Sequence, residues 1–150
     1  MAEVSSFSGV RYSLAGGRDL SDRLAPPYDT IYDEQAKNAL LARSPHNIVA
    51  LDLPYLPPKE AGPDEVYAQA GQRLARWLEE KVLIREAEPA VYLYRQTFDH
   101  AGRRYIRRGF IARLRLEELG SGQVLPHEQT YPGPKEDRLK LTRHAQAYLS

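Results

Sequence analysis

The segment from Ala90 to Leu116 constrains the fold most, because its residue pattern is that of a β-hairpin. Ala90 to Phe98 (AVYLYRQTF) is rich in the aromatic and β-branched residues that favour strands. Asp99 to Gly102 supplies a turn with a glycine for positive φ, and Tyr105 to Leu116 returns as a long strand. Because side chains alternate between the two faces of a strand, we expect the even-numbered residues of this returning strand to face a core and the odd-numbered residues to face away. The even positions are Ile106, Phe110, Ala112, Leu114 and Leu116, and the odd ones include Arg107, Arg113 and Arg115.

Three segments have the spacing of helices. They are Asp33 to Arg43, Asp64 to Lys81 and Glu136 to Leu149. The cap of the first is open between Asp33 and a Thr30-x-x-Asp33 box, and Asp64 is a good N-cap for the second. The apolar stripe of the second helix is Val66, Tyr67, Ala70, Leu74, Trp77 and Leu78, and that of the third is Leu141, Ala145, Tyr148 and Leu149.

Two further strands and a loop complete the predicted elements. Phe7 to Leu14 is predicted to be a short strand, and Asn47 to Leu53 (NIVALDL) a buried one between two prolines. Pro54 to Pro63, with its closely spaced prolines, is predicted to be a loop. We therefore expect an α+β fold, a mainly antiparallel sheet with a long hairpin and two to three helices. Residues 1–150 form a single unit in this interpretation, with an N-terminal part over 1–88 and the hairpin and later segments over 89–150. Whether the N-terminal part is a separate lobe stays open.

Composition narrows the classes of function. The 21 Lys and Arg residues nearly cancel the 20 Asp and Glu residues, which argues against a dedicated nucleic-acid-binding module. The chain has no cysteine, so thiolate zinc sites and cysteine nucleophiles are excluded. We see no signal peptide and no apolar run that could span a membrane, and we expect a cytoplasmic protein.

The best candidate for chemistry is Leu125 to Arg138 (LPHEQTYPGPKEDR), where charge surrounds a segment stiffened by proline. A carboxylate beside a histidine, as at Glu128 and His127, can act as a general base or help to hold Mg²⁺. Lys135 and Arg138 lie at the start of a predicted helix, where backbone N–H groups already favour an anion. A helical zinc-protease motif is excluded, because Tyr131 stands where its second histidine would be.

Six ordered motifs resemble a known family. They are Ala25-Pro-Pro-Tyr-Asp29, Pro45-x-Asn-Ile-Val49 with Leu51-Asp-Leu-Pro54, Tyr92-x-Tyr94, Arg108-Gly-Phe-Ile111, Leu125-Pro-His-Glu128 and Pro134-Lys-Glu-Asp-Arg138. The chain resembles the N-terminal portion of the domain-of-unknown-function family numbered ten-fifteen, and through it the ParB/sulfiredoxin superfamily with its free serine kinases. Two departures, Tyr32 for a usual serine and Lys81 for a usual glycine, affect helix ends.

The resemblance implies an activity. Pro126-His127-Glu128 is similar to the segment that supplies the catalytic glutamate of the serine kinases, so Glu128 is expected to act as the base with His127 beside it. The implied function is a nucleotide-dependent phosphotransferase acting on a small hydroxylated metabolite, with ATP or ADP and Mg²⁺. Lys135 and Arg138 are assigned to the cofactor from charge and helix position alone.

The superfamily's phosphate-binding segment, of Gly-His-His-Arg type, is expected beyond residue 150. It would open a later helix of a ParB/sulfiredoxin-like core that is incomplete in this chain. We therefore expect a fragment of a larger protein that is inactive alone. Two alternatives stay open: a non-catalytic nucleotide-binding switch or protein-interaction module, and a structural role in which His127 and Glu128 form a buried hydrogen-bonded pair. The partners expected are a nucleotide and a small-molecule substrate, with no direct nucleic acid and no membrane.

Overall fold

The computed structural model describes residues 2–15, 17, 19–118, 124–125 and 131–149. Within these residues the fold is α+β, as predicted, with four α-helices and three two-stranded sheets in place of one larger sheet. The helices are α1 (Glu34–Arg43), α2 (Val49–Asp52), α3 (Asp64–Glu79) and α4 (Pro132–Ala145), and Tyr28–Thr30 forms a 3₁₀ turn. The strands are β1 (Val4–Ser5), β2 (Val10–Tyr12), β3 (Leu83–Arg85), β4 (Tyr92–His100), β5 (Arg103–Ile111) and β6 (Arg113–Leu114). β1 pairs with β6, β2 with β3, and β4 with β5.

The chain divides into two compact units. One comprises residues 1–11 and 85–128, and the other comprises residues 12–84 and 129–150. The first contains the β4–β5 hairpin and the β1–β6 pair, and the second contains all four helices. The predicted strand from Phe7 to Leu14 is shorter than expected, since only β2 is a strand there and Phe7 makes an isolated bridge to Ala90.

The β4–β5 hairpin is confirmed, but its predicted core face is wrong. The strands are antiparallel from Tyr92 opposite Ile111 to His100 opposite Arg103. Ala101 and Gly102 turn the chain, both with positive φ, as a tight two-residue hairpin turn requires. The expected core residues Ile106, Phe110, Leu114 and Leu116 are all exposed, because no second layer of the described residues covers the hairpin. Alternation therefore gave the strands correctly but not the burial of either face.

Asn47 to Leu53 is not a strand, because its central residues form α2. Val49, Ala50 and Leu51 are all buried. Asn47 is fully buried; its side-chain amide donates to the carbonyls of Asp22 and Leu24, and its Oδ1 accepts from the N–H of Val49. This amide starts a tight helical turn at the N-terminal end of the run. A short apolar run buried on every side has no periodicity that separates strand from helix.

The three predicted helices are confirmed, with changes at their ends. Asp33 caps α1 by accepting from the N–H of Ala36, which decides between the two caps considered. Asp64 is not the N-cap of α3, since Pro63 occupies that position without a side-chain bond. α4 begins at Pro132, earlier than predicted, because proline is tolerated in a first turn where N–H groups have no helical partner. It ends at Ala145, and Gln146 after it is left-handed, so Tyr148 and Leu149 lie beyond the helix.

The helical unit has its core along α3. Leu74 and Trp77 of α3 pack with Tyr12, Ala50, Leu51 and Leu83, while Tyr67 and Ala70 pack with Leu141 of α4. A third cluster joins α1 to α2 through Ile31, Leu40, Val49 and Leu53. The predicted stripe of α3 is thus confirmed at its buried positions. Pro54 to Pro63 contains no helix or strand, as expected.

Candidate functional site

The sequence-predicted site residues fall into two groups. His127 and Glu128 lie outside the described residues, as do Pro126, Gln129 and Thr130. Lys135 and Arg138 lie in the first two turns of α4, so the structure describes only the helical half of the predicted site. Their environments differ. Lys135 is exposed and forms no ion pair with any described residue, whereas Arg138 is largely buried in a polar cluster.

Two carboxylates hold the guanidinium of Arg138. Its Nη1 donates to Asp52 Oδ1 at 2.8 Å, and its Nη2 donates to the backbone carbonyl of Asp52 at 2.8 Å. Its Nε donates to Asp137 Oδ2 at 2.8 Å, and Nη2 also lies 2.6 Å from that oxygen. Because these contacts occupy most of the five N–H donors of an arginine, little of the fork remains for a further anion.

Asp137 is the more buried of the two carboxylates, with 4% of its side chain exposed against 26% for Asp52. Its second oxygen, Oδ1, accepts from the hydroxyl of Tyr67 at 2.7 Å. The Tyr67 oxygen in turn accepts from the N–H of Gly62 at 2.9 Å. The chain of bonds therefore ties the first turns of α4 to α3 and to the loop before it.

Tyr28 closes the cluster from the 3₁₀ turn. Its ring lies under the Arg138 guanidinium, with 3.9 Å between the Cζ atom and the ring centroid, a cation–π contact. Burial raises the pKa of the Tyr28 hydroxyl, and burial with the Asp137 bond raises the pKa of Tyr67. Both tyrosines therefore stay neutral over any physiological pH range.

Burial also raises the pKa of the Asp52 carboxyl above its ordinary value of 3.8, although Arg138 acts in the opposite direction. Two carboxylates share one guanidinium, so the group carries a net charge of −1 when both are ionised. This net negative charge does not favour the binding of a further anion at the cluster. Perturbed carboxyls of this kind occur in functional sites and in structural networks alike.

A neighbouring pair extends the contacts of α4. Lys140 Nζ lies 2.8 Å from Asp64 Oδ1 and donates to the carbonyl of Gly62 at 3.0 Å. The backbone also approaches closely here, since a Cβ on Gly133 would lie 2.4 Å from the carbonyl oxygen of Lys59. The start of α4 is therefore fastened to the loop between α2 and α3 by side chains and by backbone contact.

Sequence reasoning missed three members of this cluster. Tyr28 appeared only within the Ala25-Pro-Pro-Tyr-Asp29 motif, Asp52 was placed in a buried strand, and Tyr67 in an apolar stripe. Asp52 could have been singled out from the sequence, because a single carboxylate inside an apolar run needs a partner when the run is buried. The partner, Arg138, is far away along the chain, and only the fold brings the two together.

Within the part of the chain that the structure describes, neither a metal cluster nor a membrane-spanning helix is found. The described residues contain no group of three or more His, Asp or Glu side chains placed to hold a metal ion. None of the four helices in that part of the chain is long and apolar enough to cross a bilayer.

Comparison with known proteins gives one family. The family model described as "Protein of unknown function (DUF1015)" matches residues 4–150. No curated protein matches the chain. No solved structure matches it. Because the family model spans nearly the whole sequence, the chain belongs to the DUF1015 family.

Proposed function

We propose that the protein is a nucleotide-dependent phosphotransferase that acts on a small hydroxylated metabolite. The observation that carries this proposal is the Pro126-His127-Glu128 motif, which precedes a helix whose first turns are fastened by the Arg138 cluster. Phosphoryl transfer depends mainly on positioning and charge stabilisation, and a rigidly held helix that follows shortly after a candidate base in the sequence suits that requirement. We place the protein in the cytoplasm, where nucleotides are abundant.

Glu128 is proposed as the general base. Its carboxylate takes the proton of the acceptor hydroxyl as that oxygen attacks the terminal phosphorus of ATP or ADP. A new O–P bond forms, the bond from phosphorus to the bridging oxygen breaks, and the shortened nucleotide leaves with that electron pair. General-base catalysis of this kind contributes typically 10²- to 10⁴-fold in rate. His127 is proposed to orient Glu128 or to contact phosphate.

Lys135 and Arg138 have different roles in the proposed cofactor site. Lys135 is exposed in the second turn of α4 without an ion-pair partner among the described residues, so its ammonium group is free to meet a phosphate. Arg138 is engaged by Asp52 and Asp137, so it would contribute mainly by holding that turn in place. Mg²⁺ would arrive with the nucleotide phosphates, as is usual for this ion.

The proposal requires more of the protein than residues 1–150. We propose that this chain leads into a ParB/sulfiredoxin-like core, whose Gly-His-His-Arg type segment would bind the phosphates. The 150-residue chain alone is then expected to bind nucleotide weakly and to transfer no phosphate.

The experiment is a titration of full-length protein with ATP, ADP and CTP in the presence of Mg²⁺, followed by a search for phosphorylated product over a panel of small alcohols. Lys135→Gln is expected to weaken nucleotide binding about tenfold or more, since a charge-assisted contact is lost. Lys81→Gln, which removes the same charge just after α3, is the matched control and should not. Binding without turnover would favour a nucleotide-sensing switch, and no binding would overturn both readings.

A further inference from the structure

The positive charge of this chain is concentrated in the β4–β5 hairpin. Residues 92–111 contain five arginines and one acidic residue, Asp99, a net charge of +4, so the rest of a chain of net charge +1 carries −3. The near-neutral net charge of the whole chain argues against nucleic-acid binding by the chain as a whole. It therefore does not apply to this hairpin, which is strongly positive. Nearly every hairpin residue is exposed.

The pairing register separates two faces. Gln96 lies opposite Arg107, Phe98 opposite Tyr105, and His100 opposite Arg103, so these residues share one face with Tyr94. We call this the aromatic face. It carries no carboxylate, because Asp99 belongs to the opposite face, where it pairs with Arg104. Neither Arg103 nor Arg107 forms an ion pair within the described part of the chain.

The aromatic face is also a stacking surface. The rings of Phe98 and Tyr105 are stacked, with centroids 5.5 Å apart and 18° between their planes. The Arg107 guanidinium lies over Phe98 at 5.7 Å from the ring centroid. Tyr94, Phe98 and Tyr105 remain 43%, 36% and 41% exposed, so their rings are open to a ligand.

We infer that the aromatic face of the hairpin binds single-stranded nucleic acid. Proteins of that kind combine a cationic track for the phosphates with exposed rings on which successive bases stack, and this face has both. An acidic peptide would satisfy the arginines but would leave the rings without a planar partner. The inference does not depend on phosphotransfer, because it uses none of the residues assigned to it.

The test measures fluorescence anisotropy of labelled oligo(dT) and oligo(U) of about twelve nucleotides, with the 150-residue chain, as salt is raised. Arg103→Gln/Arg107→Gln is expected to weaken binding at least tenfold and to lower the salt slope by about 1.4, the value for two lost single-strand phosphate contacts. Arg95→Gln/Arg108→Gln removes the same charge from the opposite face and should change the slope little. Tyr105→Leu keeps every charge and is expected to weaken binding about five- to 100-fold through lost stacking.

Several outcomes would overturn the inference. They are the absence of binding by the wild-type chain, equal losses from the two double variants, no effect of Tyr105→Leu, or equal competition by polyglutamate. Tighter binding of duplex than of single strands would also contradict it. Circular dichroism and thermal melting of each variant establish that the fold is intact, and exposed Arg→Gln changes on the hairpin should leave both unchanged.

Discussion

Asp52 and Asp137 bind the same guanidinium but use their oxygens differently. Asp137 accepts on both oxygens, from Arg138 on Oδ2 and from Tyr67 on Oδ1. Asp52 meets Arg138 through Oδ1, and its backbone carbonyl makes a second contact. An amide has only one acceptor oxygen, so asparagine can replace Asp52 in this arrangement but cannot replace Asp137.

Asp137→Asn is therefore expected to destabilise the protein by about 2–4 kcal/mol, the range for disrupting a buried charged hydrogen-bond network. The new NH₂ group must face either the Tyr67 hydroxyl or Arg138, and each already donates to this side chain. Urea denaturation followed by circular dichroism measures the change. Asp64→Asn, at an exposed ion pair with Lys140, is the matched control and should move the midpoint far less. Equal shifts for the two variants would contradict the assignment.

Asp52→Asn should change the pH dependence of stability. The pKa of Asp52 is raised by burial, so the folded state binds this proton more tightly than the unfolded state does. The stabilisation that this gives is complete below the ordinary value of 3.8 and is lost as pH rises through the folded pKa. Asparagine removes that loss, so the variant should equal the wild type near about pH 4 and be at least as stable near about pH 7. A variant clearly less stable at neutral pH would show that the ion pair outweighs desolvation.

At this scale the sequence revealed the charges but not their partners. The concentration of Lys135, Asp137 and Arg138 after two prolines could be read directly, and it pointed to the start of a helix. That Arg138 faces Asp52 and Tyr28 depends on long-range packing, which no local pattern encodes. The sequence therefore suggested Arg138 as a phosphate ligand without showing that two carboxylates already bind its guanidinium.

At the scale of elements, the backbone of α3 comes very close to the end of α4. A Cβ on Gly71 would lie 2.4 Å from the carbonyl oxygen of His144, so the two helices touch through glycine. Real Cβ atoms do not come this close to backbone, and the neighbouring atoms cannot yield as a flexible side chain could. The contact fixes how near the two helices can lie.

Gly71→Ala should consequently destabilise the protein by about 1–3 kcal/mol, the usual cost of overpacking. The direction is informative because alanine is the better helix former by about 1 kcal/mol, so an isolated helix would gain from the change. Thermal and urea unfolding measure the effect, with Gln69→Ala on the exposed side of α3 as the control. A Gly71→Ala protein more stable than the wild type would mean that the helices are not in contact here.

Elements with a clear period were predictable, and those without one were not. The apolar spacing of Tyr67, Ala70, Leu74 and Trp77 located α3, and alternation with a glycine turn located the hairpin. α2 was misassigned because its start depends on the Asn47 side chain bonding two distant carbonyls. The end of α4 was misplaced because Gln146 adopts a left-handed conformation that its identity does not demand.

For the whole molecule, composition and pattern gave the α+β class but not the burial of the hairpin. Alternation assigns residues to two faces and is silent on whether anything covers either face, so Ile106 and Phe110 were wrongly expected in a core. The near-zero net charge of the whole chain likewise gave no indication that the hairpin carries a net charge of +4. The first two turns of α4 lie beside Pro126-His127-Glu128 in the sequence, which links the structural account to the proposed chemistry.

Glu128 is proposed as the base of a nucleotide-dependent phosphoryl transfer. The most direct measurement is the rate of phosphate transfer from ATP or ADP to the best small alcohol, by full-length protein and its Glu128→Gln variant, with nucleotide affinity determined in parallel. We expect the Glu128→Gln variant to lose about 10²- to 10⁴-fold in rate with nucleotide affinity nearly unchanged, while Glu136→Gln on the exposed side of α4 keeps full activity. A Glu128→Gln protein that retains its rate, or a wild-type protein that phosphorylates no acceptor, would contradict it.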